Sequence, residues 1–300
     1  MHLFMKSFVR MAVGVFVITS AANVAGKTVE IEDPEFNNST ALHLNKYWPL
    51  TAGESYAYIA ETEDGCEFNK LTVLVNTGDY SDKVIKGIQM RVVRDQEWVA
   101  EPPDGVECAN IDPNDAMLME DTLDYYAIDD AFNTWYFGER TWAVDDESEA
   151  VPPPCIDDGA WEAGEPAGEE DEAVEGIVML SQPKAGDRYQ QEFWEDEAED
   201  WAKVNRLNGS VGDDYSNCLV TKEWTPLDPG SVEHKYYCLT PVDSGLVFIE
   251  ELKGKTVAVE FVGDDFGFGP LPGEGAGPGD GVAFPAFDDA NVNFCVMPGP

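Results

Sequence analysis

The sequence predicts an all-β protein, with an antiparallel sheet of about ten to twelve strands that is closed or half-closed into a barrel or curved into a sandwich. Two observations carry this prediction. Short segments alternate between apolar and polar side chains, the period of a strand with one buried face. Most of these segments follow one another after short turns rich in Gly, Asp and Asn, as in hairpins. There is no strand–helix alternation and no repeat of about 20–50 residues, which argues against parallel α/β folds and solenoids.

The first half of the chain predicts a meander and a hairpin. Residues 54–60, 71–75 and 85–93 alternate and are separated by turn residues, so we expect three consecutive antiparallel strands. Residues 121–128 and 134–142 flank a polar turn and predict a hairpin.

The second half resumes the pattern after an acidic, Pro-rich stretch. We expect strands at 177–180, 188–194, 202–207, 218–224, 232–239, 245–252 and 256–262. The last four of these predict two hairpins, the first centred on Asp228 and the second on Gly254.

The N-terminal residues predict export. Lys6 and Arg10 precede a short apolar run at 11–19 and then small residues, which is the pattern of a signal peptide over residues 1–26. The apolar run is shorter than the roughly 20 residues that span a bilayer. We therefore expect a secreted or periplasmic protein without a transmembrane segment.

Composition predicts the organisation of the remaining chain. An irregular lead-in at 27–46 precedes a single antiparallel β domain at 47–262, and a Gly/Pro-rich tail follows at 263–300. Within the β domain, residues 145–175 are acidic and Pro-rich and predict a long surface loop.

Six cysteines predict three disulfides, because an even number in an exported chain is typical of disulfide-bonded proteins. They are Cys66, Cys108, Cys155, Cys218, Cys238 and Cys295. Cys218 and Cys238 are symmetric about Asp228, so they face each other across the predicted hairpin, within disulfide range. Cys66 and Cys108 belong to loops at the same end of the meander, and elimination pairs Cys155 with Cys295. The alternative is that the cysteines bind a metal cluster, but the chain contains no Cys-x-x-Cys motif.

The charge is strongly negative, with 59 acidic and 18 basic residues and a net charge of −41. Such a chain repels nucleic acid and anionic membranes. Two interpretations stay open: a solvated surface suited to salty water, or a surface that binds divalent cations or a cationic partner.

Several segments resemble a family of exported bacterial β proteins without assigned function. The similar segments are 47–50 with Gly53 and 56–58, 124–127, 133–139, 159–164, 186–192, and 223–226 leading into 233–237. Together they cover roughly residues 47 to 252. The resemblance implies a single β domain and no catalytic residues. The cysteines and the Gly/Pro-rich tail depart from the family's pattern.

Catalytic residues are unknown from the sequence. Beyond the signal peptide the only histidines are His43 and His234, and no Gly-x-Ser-x-Gly motif accompanies them, which argues against a Ser-His-Asp hydrolase. A glycosidase needs only two carboxylates, and among so many acids the sequence selects no pair.

A metal site is the next hypothesis. Asp129 and Asp130 offer the oxygen ligands that Ca²⁺ prefers, so calcium is a possible cofactor, although acidic pairs also arise by chance in such a chain. No His-Glu-x-x-His or EF-hand spacing occurs.

Aromatic side chains provide the candidate ligand-binding residues. They are Trp135, Tyr136, Trp161, Trp224, His234 and Tyr236. Such rings stack on sugars or line an apolar cavity in a barrel, although the alternative is that they fill the core.

Three functions remain open. The first is an exported, non-enzymatic binding protein that holds a small apolar molecule, a glycan or a cell-envelope component in an aromatic-lined concavity. The second is an extracellular polysaccharide hydrolase that uses carboxylates. The third is a surface or structural protein whose acidic coat binds Ca²⁺. Two facing, partly buried carboxylates would favour the enzyme, and an apolar cavity would favour binding.

Overall fold

The fold is described here from a computed structural model. The described residues are 27–37, 44–62, 65–75, 83–103, 105–111, 116–144, 155–157, 159–167, 171–213, 215–239, 244–251 and 258–263. Within them the chain is all-β, as predicted, with one short 3-10 helix at Cys108–Asn110. The strands are β1 (Ser55–Glu61), β2 (Cys66–Val73), β3 (Val84–Ile85), β4 (Ile88–Gln89), β5 (Arg91–Ala100), β6 (Met117–Ile128), β7 (Thr134–Val144), β8 (Cys155–Asp157), β9 (Trp161–Glu162), β10 (Pro166–Ala167), β11 (Asp171–Glu172), β12 (Val174–Met179), β13 (Arg188–Gln190), β14 (Glu192–Phe193), β15 (Trp201–Val211), β16 (Tyr215–Trp224), β17 (Val232–Leu239), β18 (Ser244–Glu251) and β19 (Ala258–Gly263).

Most strands of the described chain belong to one antiparallel sheet that curls into a half-barrel. Its order is β13-β15-β16-β17-β18-β19-β1-β2-β5-β6-β7-β12-β14, and β8 and β9 also pair with β7. The two strands at the ends of this order, β13 and β14, are separated along the chain by Gln191 alone. Curling therefore brings both edges of the sheet to residues 188–193. Gly176 permits the close approach, because a Cβ there would lie 2.2 Å from backbone atoms of Gln191.

The predicted meander is present as β1, β2 and β5, but its third strand lies later than expected. Tyr58 pairs with Asn69, and Asn69 pairs with Glu97. Residues 85–89, the first part of the strand predicted at 85–93, instead belong to the separate hairpin β3–β4. The reason is a tight turn, since Lys86 and Gly87 both have positive φ, at 50° and 80°, as a type I′ hairpin turn requires.

The other predicted hairpins are confirmed. In β6–β7, Ile128 pairs with Thr134, and in β16–β17, Trp224 pairs with Val232 about the expected centre at Asp228. β18 and β19 also pair antiparallel. β15 extends over Trp201–Val211, longer than the predicted 202–207.

Two of the three predicted disulfides are present. Cys218 joins Cys238 across β16 and β17, with Cα atoms 4.1 Å apart, and Cys66 joins Cys108 with Cα atoms 5.4 Å apart. The third predicted pair, Cys155 with Cys295, lies outside the residues whose side chains are described. Across the described chain, no helix has the length and apolar character to cross a membrane.

The described parts of the acidic, Pro-rich stretch contain the short strands β8 to β11. Trp161, Ala163 and Ala173 from this region are buried in the main core. Apolar residues interspersed among the acids therefore anchor the stretch to the sheet. The acidic composition alone does not predict this packing.

The main core lies inside the curl of the sheet and is closed by residues of the lead-in. The Asn45 side-chain amide donates to the backbone carbonyls of Phe132 and Met179, at 2.8 Å and 3.1 Å. Next along the chain, Trp48 packs against β1 and β17. Its ring centroid lies 6.4 Å from that of Tyr56 and 5.9 Å from that of Tyr237. We call the sheet face toward this core the inner face, and the opposite one the outer face.

Candidate functional site

Three of the six predicted ligand-binding residues, Trp135, Tyr136 and Trp161, lie around β7 and are buried. The Tyr136 ring lies 5.1 Å from that of Tyr126 and 5.6 Å from that of Trp161, measured between centroids. Trp135 points to the other face of β7, where its ring contacts Phe36 at 6.0 Å. All three predicted residues therefore belong to the packed core, and a ligand would reach them only if core side chains moved.

A bulge in β7 places Tyr136 and Glu139 on the same face of the sheet. Asp124 on β6 pairs with Glu139 and Tyr126 pairs with Tyr136, so three steps along β7 match two along β6. In a regular strand, residues three apart point to opposite faces. The extra residue is accommodated beside Gly138, whose φ of 123° favours glycine. The bulge thus gathers two carboxylates around one tyrosine hydroxyl.

The Tyr136 hydroxyl bridges these two carboxyl groups. Its oxygen lies 2.8 Å from Oδ1 of Asp124 and 2.7 Å from Oε2 of Glu139. A phenol carries a single proton, so it donates to only one of two acceptors. The other carboxyl group must itself be protonated and donate to the phenol oxygen. The geometry therefore implies one proton shared between the carboxyl groups in addition to the phenol's own.

Electrostatics assigns this proton to Asp124. Burial, followed by the charge of Glu139, raises the pKa of the Asp124 carboxyl to about 8. Burial and the nearby Asp124 also raise the pKa of Asp95 well above its ordinary value. Oδ2 of Asp124, Oδ1 of Asp95 and the Tyr126 hydroxyl are buried without a hydrogen-bond partner among the described residues. A protonated acid beside a carboxylate is an arrangement that hydrolases use for proton transfer.

A second buried charge cluster on the inner face has one lysine between two glutamates. Lys235 Nζ lies 3.1 Å from Oε2 of Glu223 and 2.9 Å from Oε1 of Glu233. Burial lowers the pKa of Lys235, but the two carboxylates outweigh it and the net direction is upward. The Thr221 hydroxyl also donates to Glu223, at 2.7 Å. The lysine therefore bridges the two glutamates inside the core.

The predicted metal ligands Asp129 and Asp130 lie in the β6–β7 turn. Both Asp129 oxygens accept hydrogen bonds, from the backbone amides of Ala131 and Asn133 and from the side chains of Asn133 and Trp135, all at 2.8–2.9 Å. Asp130 Oδ2 accepts from Asn37 at 2.9 Å. Asp129 therefore stabilises the turn. Among the described residues, no three His, Cys, Asp or Glu side chains are grouped to hold a metal ion, and calcium binding stays a prediction.

The remaining three predicted residues, Trp224, His234 and Tyr236, share the outer face of β16 and β17. Trp224 and His234 are half-buried, whereas Tyr236 is buried beside the Cys218–Cys238 disulfide. His234 Nε2 lies 3.1 Å from the Asn205 side-chain nitrogen. This outer face therefore combines aromatic rings with polar groups that solvent can reach.

A row of three cationic side chains, continued by a histidine, crosses this outer face. Arg188 pairs with Lys203, Lys203 with Lys222, and Lys222 with His234, each directly opposed on neighbouring strands from β13 to β17. We call these four residues the cationic row. The described residues form no salt bridge to Arg188, Lys203 or Lys222. Like charges directly opposed across strands are destabilising, so the arrangement has an electrostatic cost in the absence of an anion.

Two tryptophans lie beside the cationic row and position its arginine. Trp201 and Trp224 are directly opposed on β15 and β16 and both half-buried. The Arg188 guanidinium lies 4.2 Å from the Trp201 ring centroid and 5.1 Å from that of Trp224. Lys222 Nζ lies 5.9 Å from the Trp224 ring. These cation–π contacts hold charged groups against an aromatic surface that is open to solvent.

Sequence reasoning missed most of the cationic row. The hairpin centre at Asp228, which aligns the two bonded cysteines, also places Lys222 opposite His234, so this pair was predictable. The position of Lys203 was not predictable, because a bulge between Val204 and Arg206 shifts the register of β15 against β16. Arg188 was not predicted either, because it joins the row through the pairing of β13 with β15, which places it opposite Lys203.

Comparison with protein-family models, with curated proteins and with solved structures finds no match to this chain.

Proposed function

We propose that this protein is an exported, non-enzymatic binding protein that binds a glycan of its extracellular or cell-envelope surroundings on the outer face of β15 to β17. One observation carries the proposal: Trp201 and Trp224 form a half-exposed aromatic surface flanked by hydrogen-bonding side chains. Sugar rings present an apolar C–H face to aromatic rings and hydroxyls to polar groups. Asn205 and His234, beside the tryptophans, supply such polar groups.

The shape of this surface favours a glycan over a small apolar molecule. Small ligands bind in concave sites that bury most of their surface. The face of a sheet is open, so it suits an extended chain whose successive units each make limited contact. The aromatic residues inside the curl are less suitable, because Tyr136 and Trp161 are at most 2% exposed.

Export is supported by the predicted signal peptide and by two disulfides. Cys66–Cys108 and Cys218–Cys238 are bonded, and disulfides persist in oxidising compartments such as the periplasm and the extracellular space. An open glycan-binding face is useful where polysaccharides are abundant, outside the cytoplasm.

Calorimetric titration of the secreted, disulfide-bonded protein with neutral and acidic oligosaccharides tests the proposal. We expect at least one oligosaccharide to bind, and Trp224→Ala to weaken its binding by about tenfold or more, since aromatic anchors carry much of the energy of an interface. Trp142→Ala is the matched control: Trp142 is also half-buried and lies 5.2 Å from an arginine, Arg140, but on β7. Equal losses in both variants, or no binding to any oligosaccharide, would overturn the proposal.

A carboxylate-dependent hydrolase is the second candidate, and the pair Asp124 and Glu139 favours it. A protonated carboxyl group and a carboxylate close together are the groups that a glycosidase requires. Binding ranks first because Asp124 and Glu139 are only 2% and 3% exposed, so a substrate would have to open the core. Release of reducing ends from polysaccharides by the wild-type protein, lost in Glu139→Gln but kept in Trp142→Ala, would establish the hydrolase instead.

A further inference from the structure

We propose that the glycan is anionic, and that its carboxylate or sulfate groups bind the cationic row through Arg188, Lys203 and Lys222. This inference rests on the proposed function and adds the chemical class of the ligand. It starts from the register of the sheet, which places the four side chains directly opposite one another on β13, β15, β16 and β17.

The spacing of the row suits a linear polymer. Neighbouring strands lie about 4.8 Å apart, so four opposed residues extend over about 14 Å perpendicular to the strands. Trp201 and Trp224 lie two residues from Lys203 and Lys222 along their strands, on the same face. A sugar ring packed on the tryptophans therefore places its acidic substituents within reach of the row.

The charges of Arg188, Lys203 and Lys222 are available for an anion, whereas His234 Nδ1 already lies 3.4 Å from Glu250 Oε2. Other cations of this acidic chain have a carboxylate partner, as Arg94 has in Asp121 and Lys86 in Glu175. Within the described residues, Arg188, Lys203 and Lys222 form no such pair. Charge-assisted hydrogen bonds to an acidic group would satisfy these donors.

The Arg188 guanidinium is held ready for such a contact. Stacking at 4.2 Å on Trp201 and 5.1 Å on Trp224 restricts its orientation. Arginine presents a planar fork that bonds a carboxylate or sulfate through two hydrogen bonds. Pre-positioned groups lose less conformational entropy on binding, so the contact is stronger than that of a free surface arginine.

The net charge of −41 limits the kind of polyanion that binds. A long, densely charged polymer is repelled by the rest of the surface, whereas contacts within the row act over a few ångströms. At physiological ionic strength, charges farther than about 8 Å are largely screened. The row therefore fits a short acidic oligosaccharide, or a polysaccharide segment of moderate charge, better than nucleic acid.

Paired oligosaccharides that differ only in charge test the inference. Calorimetry compares a galacturonic acid oligomer with its methyl ester, and a sulfated galactan oligomer with its desulfated form. We expect at least one acidic member to bind about tenfold or more tightly than its neutral counterpart, the difference expected from one or two charge-assisted contacts. The two pairs also distinguish carboxylate from sulfate as the group recognised.

Substitutions of lysines test whether the preference for acidic oligosaccharides arises from the cationic row. The double variant Lys203→Gln/Lys222→Gln should weaken binding of the acidic oligomer and reduce its advantage over the neutral counterpart, although Arg188 still contributes. Lys184→Gln removes the same charge from an exposed lysine outside the row and should change neither affinity. If Lys184→Gln weakens acidic binding as much as a single substitution in the row, overall charge is responsible and the inference is wrong.

The outcomes separate this inference from the proposed function. If neutral and acidic members bind equally and Trp224→Ala weakens both, the protein binds glycans but the row does not recognise anions. If no oligosaccharide binds, both proposals are overturned together. A preference for the acidic member that is unchanged by the double lysine substitution would also overturn the role of the row.

Discussion

Asp124 and Glu139 share one hydroxyl group, because the Tyr136 oxygen lies 2.8 Å from the first and 2.7 Å from the second. The relationship depends on the β7 bulge, which turns two residues three positions apart toward the same face. It also depends on burial, which keeps one of the acids protonated near neutral pH. The two features together make the core of this protein sensitive to pH.

Stability should decrease as pH rises toward 8. The Asp124 pKa rises from an ordinary value of 3.8 to about 8 on folding, so the folded state binds more protons between these values. The contribution to the free energy of unfolding is then fully present below pH 3.8 and is lost as pH rises through about 8. It amounts to about a few kcal/mol. Burial raises the pKa of Asp95 and Asp200 as well, which acts in the same direction.

Asp124→Asn should reduce this pH dependence, because an amide does not titrate and still donates to the Tyr136 oxygen. Urea unfolding at pH 5 and pH 8 measures the difference in each variant. Asp228→Asn, at an exposed turn carboxylate, should keep the wild-type dependence. A full pH dependence in Asp124→Asn would show that the growing negative charge of the whole chain, rather than this carboxyl group, is responsible.

Lys235→Ala should destabilise the fold strongly, by about 3–5 kcal/mol, because it leaves two buried carboxylates without a cation. Lys235 bonds Glu223 and Glu233 from a position that is 3% exposed. The triple variant Lys235→Met/Glu223→Gln/Glu233→Gln removes all three charges and should be more stable than Lys235→Ala. Chemical denaturation midpoints compare them. A triple variant less stable than the single one would contradict this account.

Gly138→Ala should disrupt the packing of β9 against β7. A Cβ at this position would lie 2.0 Å from the Trp161 carbonyl oxygen, and φ is 123°. We expect a loss of about 3 kcal/mol or more, since both the backbone conformation and the contact are unfavourable. Gly212→Ala is the control, because φ is also positive but nothing lies within 4 Å. It should lose only about 1 kcal/mol. Equal melting temperatures for the two variants would contradict the role of the contact.

Removal of either disulfide should destabilise the protein by about 3–4 kcal/mol, on the chain-entropy account. Cys66–Cys108 closes a sequence separation of 42 residues and Cys218–Cys238 one of 20. Loss of the longer link, in Cys66→Ser/Cys108→Ser, should therefore cost slightly more than Cys218→Ser/Cys238→Ser. Denaturant unfolding of both variants measures this, and a loss below about 1 kcal/mol in either would show that the unfolded chain is already restricted there.

Local pattern predicted a good part of the fold. Alternation located β1, β6, β7 and the hairpins from β16 to β19, because a strand with one buried face has alternating apolar and polar residues. It began β2 at residue 71, whereas the strand begins at Cys66. It misplaced β5, since Lys86 and Gly87 turn the chain within an alternating run. Symmetry about Asp228 aligned Cys218 with Cys238, because antiparallel register follows from the position of the turn.

The candidate site was less predictable. Aromatic composition selected Trp224, which lies on the open outer face, but equally selected Trp161, which is buried in the core. Composition does not distinguish the two, since both are tryptophans near strands. The cationic row is assembled from four strands, and its members are up to 46 positions apart, from Arg188 to His234.

The sequence alone determined the strand class, the hairpins and two of the disulfide pairs, because each depends on neighbours along the chain or on one turn. Only the tertiary structure decided that the lead-in closes the core, that the β7 bulge joins Asp124 to Glu139, and that like charges align across the outer face. Bulges and the curling of the sheet set these relationships. A shift of one residue moves a side chain to the opposite face, and the sequence pattern does not record where such shifts occur.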